Sequence, residues 1–150
     1  MALSIRERVH QALLTTLQAA LGAASVERNR EVPVELTRTP FVVLLDGAEV
    51  SDDMLAWGSR FVTATPSLEG YTGSTTQAAT GTDSNALLAQ VLTALCADPT
   101  LGGLAFDLRP GAMTPDILRA PGFPPGAAFT LELTVEYWTS QTDPTSQGPN

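Results

Sequence analysis

The sequence predicts an α+β domain in which two amphipathic helices pack on one face of a mixed, mostly antiparallel sheet. Two segments place apolar residues at three- and four-residue steps, which is the spacing of one helix face. A third segment, near the end of the chain, places them at every second position, as a half-buried strand does. One helix precedes a group of strands and the other precedes the last strands, an order that favours segregated α+β layers over repeated βαβ units.

The first helix is predicted from Ser4 to Leu21. Ser4 and Glu7 have the spacing of a capping box, in which each side chain accepts a hydrogen bond from a free backbone amide. Gly22 suits the residue that ends the helix. His10 lies away from the main apolar stripe, so we expect it to be exposed. As the only histidine it is a candidate general base, but a base needs an oriented partner.

The second helix is predicted to begin near Thr82–Ser84, whose side chains can accept bonds from first-turn amides. It ends at Asp98-Pro99, because proline lacks an amide hydrogen and restricts the residue before it. The lone Cys96 lies within this helix pattern, and we expect it to be buried and unreactive. A single cysteine cannot form an intramolecular disulfide, so a cytoplasmic setting is the default expectation.

Between and after the helices, the apolar patterns predict strands at 32–36, 41–45, 60–66, 104–109 and 127–138. Segment 67–81 is rich in Gly, Ser and Thr without periodicity, which predicts a flexible loop. Segment 110–126 holds five prolines and three glycines, which predicts an irregular surface excursion. We therefore predict one domain over residues 1–140 and a flexible polar tail over residues 141–150.

The charge of the chain argues against a nucleic-acid-binding protein. Sixteen acidic residues oppose eight arginines and no lysine, which gives a net charge of −8, and the arginines are scattered along the sequence. Specific binding to phosphates normally needs a basic patch. No run of about 18 apolar residues is present either, so no membrane-spanning helix is predicted.

One acidic segment, from Asp46 to Asp53, holds the oxygen ligands that a hard cation prefers. Its four acids, Asp46, Glu49, Asp52 and Asp53, lack the spacing of a calcium loop, so a solvated acidic loop is favoured. Apolar residues follow directly at Met54, Leu55 and Trp57, and they either pack onto the domain or contact a partner protein.

The residue types that carry catalysis or bind cofactors do not form a recognisable motif in this chain. We find no Cys/His cluster for zinc and no glycine-rich phosphate loop with its lysine. A pair of carboxylates brought together from distant positions stays open. We therefore predict no enzyme, no catalytic residue, no cofactor and no metal.

Several features occur in an order that resembles the tail terminator proteins of long-tailed phages, also called minor tail protein U-like or tail completion proteins. They are the first helix, Arg28-Asn29-Arg30, the run PFVVLLDG at 40–47, a tyrosine-containing strand ending near Tyr71, DPTLGGLA at 98–105 after the second helix, and Tyr137-Trp138-Thr139 in the last strand. Together they cover roughly residues 3–143.

The resemblance implies a small α/β domain that forms a hexameric ring. Such a ring caps the tail tube at its set length, stops tube polymerisation, and presents its other face to head-completion or neck proteins, with DNA only as passing cargo. Six copies at −8 each would carry a charge of −48, so assembly should depend on salt or divalent cations. The resemblance also implies a virion protein that is assembled in the host cytoplasm.

The interface residues are inferred from composition, in the segments 46–57, 67–81 and 110–126. The candidates are Asp46, Glu49, Asp52, Asp53, Met54, Leu55, Trp57, Glu69, Tyr71 and Phe123. The alternatives are another neck component such as a head–tail joining protein, the same role in a gene transfer agent or prophage particle, and, in a different class, a small-molecule binding or hydrolase domain.

Overall fold

The structure, a computed structural model, describes residues 1–53, 58–118, 122 and 124–148. Its helices and strands, in chain order, are α1 (Ile5–Leu21), β1 (Val26–Arg28), β2 (Phe41–Leu45), β3 (Glu49–Asp52), β4 (Ser59–Ala64), β5 (Ser67–Gly73), α2 (Thr80–Ala97), β6 (Asp107–Leu118) and β7 (Gly126–Ser140). Short 3-10 turns lie at Ala23–Ser25, Leu36–Arg38 and Gln77–Ala79. This confirms the predicted α+β class.

The seven strands form one sheet, in which only the β1–β2 pair is parallel. The path runs β1-β2-β5-β7-β4-β3, and β6 pairs with the other edge of β7. Strands β4 and β5 both pair with β7 in one continuous register, and the Leu133 amide bonds to the Pro66 carbonyl between them. They therefore act as one long, bent partner of β7.

The sheet has two different faces. Odd-numbered residues of β7 are buried from Ala127 to Thr139, and they join the apolar stripes of α1 and α2 in one core. We call this face the helix side. The even-numbered residues of β7 lie on the opposite face, the open face, which neither α1 nor α2 covers. Near β1, Arg30 and Arg38 lie over the ring of Phe41 on that face.

The termini of α1 largely follow the sequence prediction. The Ser4 hydroxyl accepts a hydrogen bond from the Glu7 amide at 3.1 Å, and the positive φ of Gly22 ends the helix. The reciprocal half of the capping box is absent, because the Glu7 carboxylate instead binds Arg28 and Gln11. None of the helices in the described residues is long and apolar enough to cross a membrane.

Three predicted segments were wrong. Residues 32–36 form no strand, and Val32 is exposed beside Pro33. The predicted loop at 67–81 contains the central strand β5, because Leu68, Gly70 and Thr72 point to the core in alternation. In the predicted excursion at 110–126, residues up to Leu118 continue β6, and a bulge between Pro110 and Met113 accommodates the first proline.

One further residue differs from expectation. Cys96 is exposed rather than buried, because it lies on the outer side of α2, next to the buried Leu95. The Pro144 carbonyl accepts a hydrogen bond from the Ile5 amide, and the Gln147 side chain donates to the Gly103 and Leu104 carbonyls. The flexibility of residues 141–150 and the extent of the domain stay predictions.

Candidate functional site

An ion-pair junction joins α1 to strands β1 and β2. The Arg28 guanidinium donates to Asp46 at 2.6 and 2.8 Å and to Glu7 at 2.7 and 3.0 Å. These hydrogen bonds hold the pKa of the Asp46 and Glu7 carboxyls below their usual values, and they raise the pKa of Arg28. Asp46 was predicted in a solvated loop. It is instead bound by Arg28 of β1, which also binds Glu7 of α1.

His10 lies beside this junction and is 1% exposed, which corrects the prediction of a solvent-facing side chain. It lies three and seven residues before the buried Leu13 and Leu17, which is the spacing of one helix face. The buried face of α1 is therefore wider than the sequence pattern predicted. Its Nδ1 donates to the Arg6 carbonyl at 2.8 Å. Its Nε2 lies 3.7 Å from Asp46 Oδ1 and has no hydrogen-bond partner among the described residues. A general base must reach a bound molecule, and this burial leaves no such access.

Glu49 extends the junction toward β7. Its carboxylate accepts hydrogen bonds at 3.0 Å from the Arg6 Nε and from the Tyr137 hydroxyl. Burial and the Glu49 charge raise the pKa of Tyr137. The acidic residues at 46–53 thus do not form the single loop that was predicted, because Glu49–Asp52 is strand β3.

The remaining acidic candidates lie on strands or at their ends. Asp53 accepts a hydrogen bond from the Arg60 Nε at 2.6 Å, and Asp52 pairs in register with Phe61. On β5, the Tyr71 hydroxyl donates to Glu69 at 2.6 Å, and burial with this carboxylate raises the pKa of Tyr71 to about 12. The interface candidates Met54, Leu55, Trp57 and Phe123 lie outside the described residues.

The open face carries an aromatic group that the sequence analysis did not single out. Phe61 contacts Trp138 edge-to-face, with ring centroids 4.8 Å apart, and Phe106 with centroids 6.1 Å apart. Phe106 is 66% exposed, and Val50, on the adjoining edge strand, is 75% exposed. Arg109 pairs with Asp107 and Glu136 beside them. We call Val50, Phe61, Phe106 and Trp138 the open-face patch. The sequence feature that could have predicted this patch is Trp138, an apolar residue at a position of the last strand that otherwise carries polar residues.

A second apolar group lies on the helix side of β6. Met113 and Ile117 are 40% and 46% exposed, and they pair in register with the buried Leu131 and Ala127. Pro115 lies between them and is also exposed. We call Met113, Pro115 and Ile117 the β6 strip. Its every-second-residue pattern was present in the sequence but was hidden by the prolines.

One cavity of about 300 Å³ opens beside the start of α2. Its lining residues are Pro40, Thr72, Gly73, Asp83, Ala86, Leu87 and Gln90. Asp83 is the ionisable side chain among them, and it accepts a hydrogen bond from the Ser74 hydroxyl at 2.7 Å. The described residues also contain no group of three or more His, Cys, Asp or Glu side chains that could hold a metal ion.

Comparison with known proteins gives a fold likeness only. No model of a protein family matches the chain, and no curated protein matches its sequence. A chain in the solved structure entitled "Virion of native gene transfer agent (GTA) particle" is similar at a TM-score of 0.45 and 14% identity, over 85% of this chain and 92% of that chain. At this TM-score and identity, the likeness identifies neither a family nor an activity.

Proposed function

We propose that the chain is a structural protein of a virion, which assembles as a hexameric ring, caps the tail tube and joins it to head-completion or neck proteins. One observation carries this proposal: exposed apolar side chains lie on both faces of the same sheet, in the open-face patch and in the β6 strip. A ring subunit that also binds axial partners needs two such separate surfaces.

The open-face patch is our candidate for the axial contact. Its rings, of which Phe106 is exposed and Phe61 and Trp138 are half-buried, are the side-chain type that anchors protein interfaces. Asp52 lies in register with Phe61 at its border, which connects one of the predicted interface acids to this surface. The other predicted interface residues stay candidates for the same contacts.

The cavity beside α2 gives little support to the alternative function, a hydrolase or small-molecule-binding domain. Catalysis needs a nucleophile or base within reach of an oriented partner. Asp83 is the one ionisable group among the described lining residues, and its Ser74 contact resembles a structural hydrogen bond at a helix start. With a net charge of −8, we infer that DNA passes through the ring without specific binding.

The proposal is tested by adding purified protein to polymerising tail-tube subunits from the same genome and measuring tube length by electron microscopy. We expect rings at one end of the tubes and a stop to elongation. Phe106→Ser should weaken this capping, whereas Thr93→Ala, at an exposed position on α2, should not. Unchanged elongation with no bound protein would reject the capping role, and binding only to head-completion proteins would favour the head–tail joining alternative.

A further inference from the structure

The helix layer of this fold is incomplete at the β6 edge. Helix α1 packs over β1, and α2 packs over β5, β7 and part of β6. The first half of β6 is covered, since Leu108 is buried. In the second half, the β6 strip points to the helix side but stays exposed. The second half of β6 therefore extends beyond the helix layer.

The backbone of β6 is poorly suited to pairing with an added strand. Pro110 and Pro115 have no amide hydrogen, and the bulge between Pro110 and Met113 breaks the regular spacing of the edge. Prolines and bulges are the usual means by which edge strands avoid pairing with other chains. A partner would thus contact the side chains of the β6 strip, as a helix does when it packs on a sheet.

The chain itself contains a helix with a matching outer surface. The exposed side chains of α1 after its first turn are Gln11, Thr15, Ala19 and Ala20, and no charged residue occurs between Arg8 and Glu27. The β6 strip is likewise uncharged. Two copies that each carry −8 repel one another overall, so a contact between two neutral surfaces is one place where they can approach closely.

The distribution of charge favours a head-to-tail contact over a two-fold one. Residues 1–38, which include α1 and β1, contain five arginines and four glutamates, whereas residues 39–150 contain three arginines and twelve acids. Arg8 on α1 is exposed and has no ion-pair partner in the part of the chain that the structure describes. A head-to-tail contact brings the arginine-rich end of one copy to the acidic end of the next.

We propose that the β6 strip receives helix α1 of a second copy, so that the neighbour completes the helix layer. The inference rests on the proposed function in one respect, namely that the chain assembles with itself. The contact joins two different surfaces, so it closes into a ring if the rotation permits and extends as a filament if it does not.

The test is site-directed crosslinking between differently labelled copies. All variants carry Cys96→Ser, because Cys96 is exposed. One copy carries Thr15→Cys on α1 and the other carries Met113→Cys on the β6 strip. The matched control is Thr114→Cys, which lies on the same strand but points to the open face, in register with Thr130. A short bismaleimide is added to each variant alone and to the mixtures.

We expect a crosslinked dimer in the Thr15→Cys and Met113→Cys mixture, and its loss when Thr114→Cys replaces Met113→Cys. A dimer from Met113→Cys alone would indicate a two-fold contact and overturn the proposal. No dimer in the mixture would also overturn it. If the crosslink is absent but light scattering shows that the wild type exceeds one chain in mass, this contact is wrong and the proposed ring stands. If the wild type is a monomer and also fails to bind tubes, the proposed function is rejected.

A charge introduced on the strip supplies a second readout. Ile117→Asp should shift the wild-type assembly toward single chains, and Thr114→Asp, one face away, should leave the assembled fraction unchanged. Both side chains are exposed, so neither change should unfold the domain. An equal effect of the two substitutions would point to general charge repulsion and contradict the proposed contact.

Discussion

Replacing Arg28 with methionine should destabilise the domain, because this one side chain holds carboxylates from two other elements. Arg28 donates two hydrogen bonds to Asp46 and two to Glu7, and the Arg28 and Asp46 side chains are 17% and 18% exposed. Charge-assisted hydrogen bonds contribute about 1.5–3 kcal/mol each, and breaking a fully buried pair costs about 3–5 kcal/mol. For this partly exposed junction we expect a loss of about 2–4 kcal/mol at pH 7.

The loss should depend on pH. Arg28 lowers the pKa of Glu7 and Asp46 from their ordinary values of 4.5 and 3.8. Carboxyls with a lowered folded-state pKa contribute stability that is fully present above the unfolded-state pKa and is lost as the pH falls through the folded-state pKa. The difference between wild type and Arg28→Met should therefore be constant above about pH 5.5 and shrink progressively below about pH 4.5.

The assay is urea unfolding followed by circular dichroism, at pH 7 and at a series of lower pH values. A loss of about 2–4 kcal/mol corresponds to a fall in Tm of about 4–16 °C for a domain of this size. The matched control is Arg8→Met, since Arg8 is exposed on the same helix and should cost less than about 0.5 kcal/mol. Equal losses for the two variants, or an Arg28→Met loss that persists undiminished at pH 3, would refute the reasoning.

Four further substitutions test the packing and the surface. Gly70→Ala should lower the unfolding free energy in urea by at least about 2 kcal/mol, because a Cβ would lie 2.3 Å from the Phe129 ring. Gly81→Ala should raise it by about 0.5–1 kcal/mol, because a Cβ at this position in α2 meets open space. Similar effects of the two substitutions would contradict the packing. His10→Ala should cost about 2–4 kcal/mol because it empties a fully buried position, and a cost near zero would mean that the site is open to water. Phe106→Ser should change the unfolding free energy by less than about 0.5 kcal/mol, so a large loss would show that this ring supports the fold rather than a partner.

The sequence was most informative where local pattern and burial coincide. Residues 41–45 form a buried strand and residues 127–138 a strand buried on one face, and their continuous or alternating apolar patterns were sufficient to predict them. The helices were likewise predicted from spacing, and the Ser4 cap of α1 was correct. The predicted start of α2 at Thr82–Ser84 was wrong, because the helix begins at Thr80 and its N-cap, Ala79, makes no side-chain hydrogen bond. In these segments, each residue's type agrees with the face on which it lies.

The errors arose where tertiary contacts override composition. Segment 67–73 reads as a polar, glycine-containing loop, yet Gly70 is required there because Phe129 of β7 occupies the space above it. Strand β6 contains prolines, which are tolerated because it is an edge strand. His10 is buried because the junction around Arg28 and Asp46 packs against α1, and partners from distant segments cannot be read from a single helix pattern.

The candidate surfaces were only partly predictable for the same reason. The sequence located acids at 46–53 but could not show that Arg28, 18 residues before Asp46, would bind one of them. Conversely, Phe106 was predicted within the strand at 104–109 and Ile117 in the irregular segment at 110–126. Only the pairing of β6 with β7 assigns the β6 strip to the helix side and leaves it uncovered.

The most direct test of self-assembly is the solution mass of the purified chain by light scattering, across a range of concentrations, at low salt and with added magnesium. We expect a species with six times the 15.8 kDa mass of one chain, favoured by magnesium because the cation screens the −8 charge of each copy. A mass of 15.8 kDa under every condition, both alone and in the presence of tail tubes, would contradict self-assembly.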